Sequence, residues 1–249
     1  MNLAKDFIYV LNFRVLLISI ISLVATFFCG YFQIIAEMPL SLIGLAVVFP
    51  IVFSINSAFQ RRDRALEYYG IINSNLVSIY FAHCNWPKKI EAKNSYKIKL
   101  IIFELLDLIK LDLINESKNN LIKKDIYKLF NKISKKNEDL RDVGISDLNF
   151  FLNDVISNFE KLSSISDYRT PKGLKAYSKI FLNIFPVIFA PYFANLNTDV
   201  YLLGFVVAIL YSSVLVMLSN IQDNIENPFD LEGLDDINLN KENRFKNFL

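Results

Sequence analysis

Apolar positions along this chain are segregated into blocks. Charged side chains vanish from four windows, Val15 to Ala36, Met38 to Gln60, Ile180 to Thr198 and Val200 to Gln222. Each window holds about 20 residues, which at about 1.5 Å of rise per residue spans a hydrocarbon core of about 30 Å. The pattern predicts four transmembrane helices. The first window is too long, and too poor in a small-residue cleavage site followed by a polar chain, to read as a removable signal.

The long segment between the second and third windows carries most of the charge and reads as a helical domain. Residues 96–114 are apolar almost all round, while 147–162 repeat Leu148, Phe151, Leu152, Val155 and Phe159 at helical spacing. Both predict packed helices. The stretches 115–125 and 135–139 mix Lys with acidic residues and read as solvated loops or helix ends, not as a nucleic-acid patch. No internal repeat and no strand pattern is visible. The expected organisation is 1–60 with the first two crossings, 61–175 as a cytoplasmic helical domain, 176–222 with the last two crossings, and 223–249 as a cytoplasmic tail.

Local signals refine these elements. Residues 1–14 read as a short amphipathic entry ending on Arg14. Glu37 and Pro39 mark a tight outer turn, since Pro suits the first turn of a helix. Pro50 removes a backbone donor and is expected to kink the second crossing. Thr170 precedes Pro171, which favours extended backbone there. Pro186 and Pro191 should break the third crossing, and the carbonyls they free need protein or water around them.

Composition agrees with segregation: 53% of residues are hydrophobic and 21% charged, with a mean hydropathy of +0.32. The net charge of +2 says less than its distribution. The two short connections hold no Lys or Arg, so all 27 basic residues fall on the side shared by both termini and the central domain. The positive-inside rule makes that side cytoplasmic. The expected location is a cell (inner) membrane crossed several times.

Catalytic and metal chemistry find little support. Cys29 lies in a membrane window and Cys84 outside one, so no disulfide framework is expected. His83 is the only histidine, and one His beside one Cys cannot supply the three or four ligands of a zinc site. Neither a nucleophile–base pair nor a phosphate loop stands out, so the chain does not read as an enzyme.

Three stretches together resemble the bestrophin family of ion channels, including its bacterial members. MPLSLIGLAVVFPIVFSINSAFQRR (38–62) resembles the family's second transmembrane helix. YRTPKGLKAYSKIFLNIFPVIFAPYF (168–193) resembles the apolar-Pro step into the third, and IENPFDLEGLDD (225–236) resembles the Asn/Asp-Pro-Phe signature with its acidic run. The resemblance covers nearly the whole chain. It implies a homopentamer around a central pore lined by the second helix, with an apolar neck in the membrane and a second constriction at the cytoplasmic end.

The resemblance also implies a role for the acidic run. In family members the Asn-Pro-Phe turn swings the chain out of the fourth helix, and the carboxylates beyond it can form a calcium clasp. Asn227 and Phe229 stand at the matching positions, with Glu232 and Asp235 at acidic ligand positions. Asp230 and Gly233 depart from the animal pattern. Ca²⁺ takes six to eight oxygens, so carbonyls and water would have to complete the shell. A solvated acidic tail is the competing reading. The aromatic-rich sequence that follows the second helix in the family is replaced by RRDRALEYYG.

Within the second window no side chain is ionisable from Met38 to Gln60. Five copies would therefore line a pore with apolar surface, and gating would proceed by wetting and dewetting. Met38, Leu42, Ala46 and Phe49 share one helical face. The alternative register is Leu42, Leu45 and Phe49, and ordinary helix packing is the bland reading of either. Ser41 and Asn56 would add polar contacts at the two ends. The cytoplasmic aperture maps onto Thr170, with Arg169 and Lys172 beside it to attract anions. Expected partners are further copies of the chain, membrane lipid and chloride or other small ions. Cation conduction, and a non-transporting membrane-anchored scaffold, are the alternatives.

Overall fold

The computed structural model of the 249-residue chain describes residues 12–37, 40–86, 92–114, 120–138, 140, 142–168, 171–199, 202–230 and 236–239. The entry segment 1–11 lies outside them. Eight helices are described: α1 (Phe13–Tyr31), α2 (Leu40–Asn85), α3 (Ala92–Ile114), α4 (Asn120–Asn137), α5 (Asp142–Asp167), α6 (Lys172–Ile188), α7 (Ala190–Asp199) and α8 (Leu203–Glu226). The chain divides into two compact units, Met1–Phe59 with Thr170–Glu226 and Gln60–Arg169 with Asn227–Leu249.

In the first unit α1 packs against α6, α7 and α8. Its inward residues, Val15, Ile18, Ser22 and Thr26, recur every three or four positions and are mostly small. Small inward side chains let helix backbones approach closely, and hydroxyls supply interhelical bonds. Ser19 Oγ meets Ser213 Oγ at 3.0 Å, and Ser22 Oγ donates to the carbonyl of Ala208 at 3.4 Å. The outward face of α1 shows Leu16, Ile20, Val24 and Phe27, all exposed, as a lipid-facing helix requires.

The end of α1 explains why it stops before its charge-free window does. Asn12 caps the start, its side chain accepting from the Arg14 N–H at 3.1 Å. At the other end Gln33 adopts φ 56°, and the N–H groups of Gln33 and Ile34 return to the carbonyls of Gly30 and Cys29. This double closure is a Schellman motif, and it terminates the helix at Tyr31. Residues 34–37 then leave as non-helical chain.

The third expected crossing is two helices in series. Pro186 sits inside α6 and Pro191 in the first turn of α7, with Phe189 as the break between them. The Phe189 N–H still reaches the carbonyl of Phe185 at 3.0 Å, and Phe193 N–H that of Phe189 at 3.0 Å. Lys175–Asn197 is thereby long and apolar enough to cross a membrane, as are Phe13–Tyr31 and Leu203–Glu226. Phe185, Phe189 and Phe193 pack with Ile51 of α2 and with Ala208 and Leu215 of α8. At Gly204 the backbones approach so closely that an added Cβ would lie 1.8 Å from the carbonyl oxygen of Phe193.

Helix α2 continues through Pro50 without interruption to Asn85. Its later turns contribute Ala65, Tyr69, Ile72, Leu76 and Ile79 to the core of the second unit. There they meet Ile98, Ile102, Leu105 and Ile109 of α3, and Ile126, Phe130 and Ile133 of α4. From α5 come Leu148, Leu152, Val155 and Phe159, the face read from the sequence, with Phe151 only partly buried. Of the Lys-rich stretches read as loops or helix ends, 120–125 and 135–137 are the two ends of α4, whose apolar face closes this core, and 115–119 and 139 lie outside the described residues. His83 is buried, its Nε2 2.9 Å from Asn137 Oδ1, and Cys84 is exposed.

Candidate functional site

Two features bring the sequence-selected residues into structural terms: one face of α2 and the turn that follows α8. Along α2 the inward face of the first unit consists of Ile51, Ser54 and Ala58, each 1% exposed or less. Phe49 and Phe53 stand on another face, 52% and 56% exposed, with ring centroids 4.9 Å apart and edge to face. Aromatic pairs favour this arrangement because a positive ring edge meets a negative face. Asn56 continues the same stripe and is also exposed.

Of the expected neck residues, Phe49 is the one whose side chain is described. Leu42, Leu45 and Ala46 occupy α2 positions seven, four and three residues before it, hence the same helical face. Met38 lies outside the described residues. Phe53 was not singled out from the sequence, although the four-residue step from Phe49 would have found it. Of the expected aperture, Arg169 and Thr170 lie outside the described residues, and Lys172 opens α6. Pro171, immediately before α6, has extended backbone with φ −50° and ψ 126°.

The last turn of α8 carries a charge cluster. Lys175 Nζ donates to Glu226 Oε2 and lies 3.2 Å from Asp223 Oδ1, while Lys179 Nζ lies 3.2 Å from Asp223 Oδ2. Glu226 is almost fully buried, its side chain 4% exposed. A carboxylate so placed is tenable only with an ionic partner. Sequence reasoning missed this cluster because its members are separated by the whole helical hairpin.

Beyond α8 the chain enters the second unit at Asn227. Asn227 Oδ1 accepts the Phe229 N–H at 3.4 Å, an Asx turn that redirects the backbone. Phe229 is fully buried within the core that also holds Ile237 and Leu239. Ile237 N–H donates to the Pro228 carbonyl at 2.8 Å, and Tyr69 OH to the Leu239 carbonyl at 3.3 Å. Glu232 and Asp235 lie outside the described residues. Asn227 brings one side-chain oxygen already engaged with backbone, and no cluster of three or more His, Cys, Asp or Glu able to hold a metal occurs among the described residues. The described residues alone do not make a calcium site.

No protein-family model and no curated protein matches the chain. Solved structures do. A crystal structure of a bacterial bestrophin homologue from Klebsiella pneumoniae aligns with a TM-score of 0.76 at 14% identity, covering 94% of each chain. A point-mutant form of that homologue gives 0.78 at 14% identity over 94% of each chain. A third crystal structure, described only as that of a membrane protein carrying a point mutation, gives 0.78 at 15% identity, covering 94% of this chain and 93% of the other. Among the described residues three helices are long and apolar enough to cross a membrane, and the chain is built as an integral membrane protein.

Proposed function

From this bestrophin fold, shared over nearly the whole chain, we propose that the protein is an ion channel that works as a homopentamer and conducts anions. Four helices cross the membrane in this reading, the second being the first part of α2, with both termini cytoplasmic. The observation that carries the proposal is the exposed Phe49–Phe53 stripe on α2, opposite a face buried against α6, α7 and α8. One protomer leaves this stripe uncovered. Around a five-fold axis it would become an apolar neck that passes ions only when wetted, with Met38, Leu42, Leu45 and Ala46 continuing it beyond Phe49.

Anion preference follows from Arg169 and Lys172 flanking Thr170 in the sequence, repeated by each subunit at the cytoplasmic mouth. The absence of ionisable residues between Met38 and Gln60 leaves no charged ring in the neck to oppose that bias. Calcium is a further proposal: Glu232 and Asp235 fall in the sequence between Pro228 and Ile237, which are joined by a backbone hydrogen bond, and with Asn227 would supply part of an oxygen shell.

Reversal potentials of the purified protein in planar bilayers under a KCl gradient test selectivity. Displacement toward the chloride equilibrium potential is expected, and displacement toward that of potassium establishes the cation-conducting alternative. A native mass in detergent equal to one protomer removes the channel reading and leaves a membrane-anchored scaffold. Current indifferent to calcium removes the clasp.

A further inference from the structure

The uncovered stripe of α2 ends on an amide. Asn56 follows Phe49 by seven residues and Phe53 by three, so at about 100° per residue the three share a face. It is exposed and has no hydrogen-bond partner among the described residues. Several other polar side chains of the same unit are bonded within it: Ser19 with Ser213, Thr26 with the carbonyl of Ser22, Arg14 with Asn183, and Asn197 with the Gly204 N–H, while the Ser54 and Ser212 hydroxyls are buried without a partner. An amide facing hydrocarbon without a partner costs several kcal/mol. Facing water, it costs nothing.

Position adds to this. Asn56 lies near the inner end of the charge-free window, and the face it shares with Phe49 and Phe53 continues at helical spacing to Gln60 and Asp63. An ion leaving the Phe53 level has shed part of its hydration and has not yet met a charged group. The carboxamide is the first group along the stripe that can replace lost water, and it offers both an N–H donor and a C=O acceptor.

We infer that Asn56 is a specificity-determining residue of the permeation path, resting on the pore reading above: a ring of carboxamides at the inner end of the neck that solvates partly dehydrated ions. An N–H turned to the axis serves an anion, and a C=O serves a cation. The ring therefore sets relative permeability through amide orientation, while Phe49 and Phe53 set the barrier height.

Variants at Asn56, Phe53 and Phe49 test this in planar bilayers. Asn56→Asp is expected to shift the permeability ratio severalfold toward cations, and Asn56→Leu to lower conductance severalfold at unchanged native mass. Phe53→Ala is expected to raise conductance. In a Cys29→Ser, Cys84→Ser background, Asn56→Cys is expected to react with a charged, water-soluble thiol reagent and lose current. An unreactive cysteine, or Asn56→Asp and Asn56→Leu channels with unaltered reversal potential and conductance, overturns the assignment. If Phe53→Ala still changes the current in that case, the pore reading stands and only Asn56 is removed from the path. If Phe49→Ala and Phe53→Ala are also silent, the pore reading itself fails.

Discussion

The backbone N–H of Ile237 donates to the carbonyl of Pro228 at 2.8 Å, which joins two positions nine residues apart in the sequence. Phe229 and Ile237, beside and at this bond, are buried in the same core as the central helices.

Phe229→Ala is expected to destabilise the second unit by about 3–5 kcal/mol, the usual cost of emptying a fully buried aromatic site. Thermal unfolding of the detergent-solubilised protein measures it. A loss below about 1 kcal/mol would show that the ring is not an anchor.

Lys175→Met leaves Glu226 without its ammonium partner, whereas Asp223 keeps Lys179. The single change should cost about 1–3 kcal/mol, as stranding a buried charged acceptor does. The pair Lys175→Met, Glu226→Gln should recover much of that cost. Strictly additive unfolding free energies across the four proteins would deny the coupling.

Two backbone sites predict opposite signs. Gly204→Ala forces a methyl into the carbonyl of Phe193 and should cost about 1–3 kcal/mol or more. Gln33→Gly relieves a left-handed conformation that costs a side-chain-bearing residue about 1–2 kcal/mol, and part of the gain is returned as extra freedom of the unfolded chain. Unfolding midpoints should fall for the first and rise slightly for the second.

Asp112 on α3 predicts a pH dependence. Burial raises its carboxyl above the ordinary value of 3.8, against the pull of Lys123, and Asp167 and Glu160 push it further. The native state thus holds this proton more tightly than the unfolded chain. Its contribution to stability is most favourable at acid pH and falls as pH climbs from the ordinary value through the raised one. Asp112→Asn should raise the unfolding temperature at neutral pH, with the gain shrinking as pH is lowered into the carboxylate range. A gain independent of pH would count against the ionisation argument.

The membrane helices were legible because carboxylates and ammonium groups are excluded from hydrocarbon, which leaves clean windows around α1, α6–α7 and α8. Their ends were less legible. A Schellman closure at a glutamine gives no glycine to read, and α6 begins with Lys172, Lys175 and Lys179, whose charges hid its first turns. Helix α4 was obscured in the same way, its ends being Lys- and Asn-rich while Ile126, Phe130 and Ile133 carry the packing. At the candidate site, the helical step of four pointed along one face of α2 as far as Phe49 and could have been carried to Phe53. Periodicity cannot reveal which face is left uncovered. The Asn-Pro-Phe turn was visible as a turn, but the burial of Phe229 depends on helices distant in sequence.

That burial has a consequence for biosynthesis. The central helices of the second unit are translated before α6, α7 and α8, yet their core stays open until Phe229, Ile237 and Leu239 emerge. A nascent chain must insert its last hairpin while this core is unfinished. Truncation or stalling before Phe229 should therefore yield a protein correctly threaded through the bilayer but open to proteases on its helical domain.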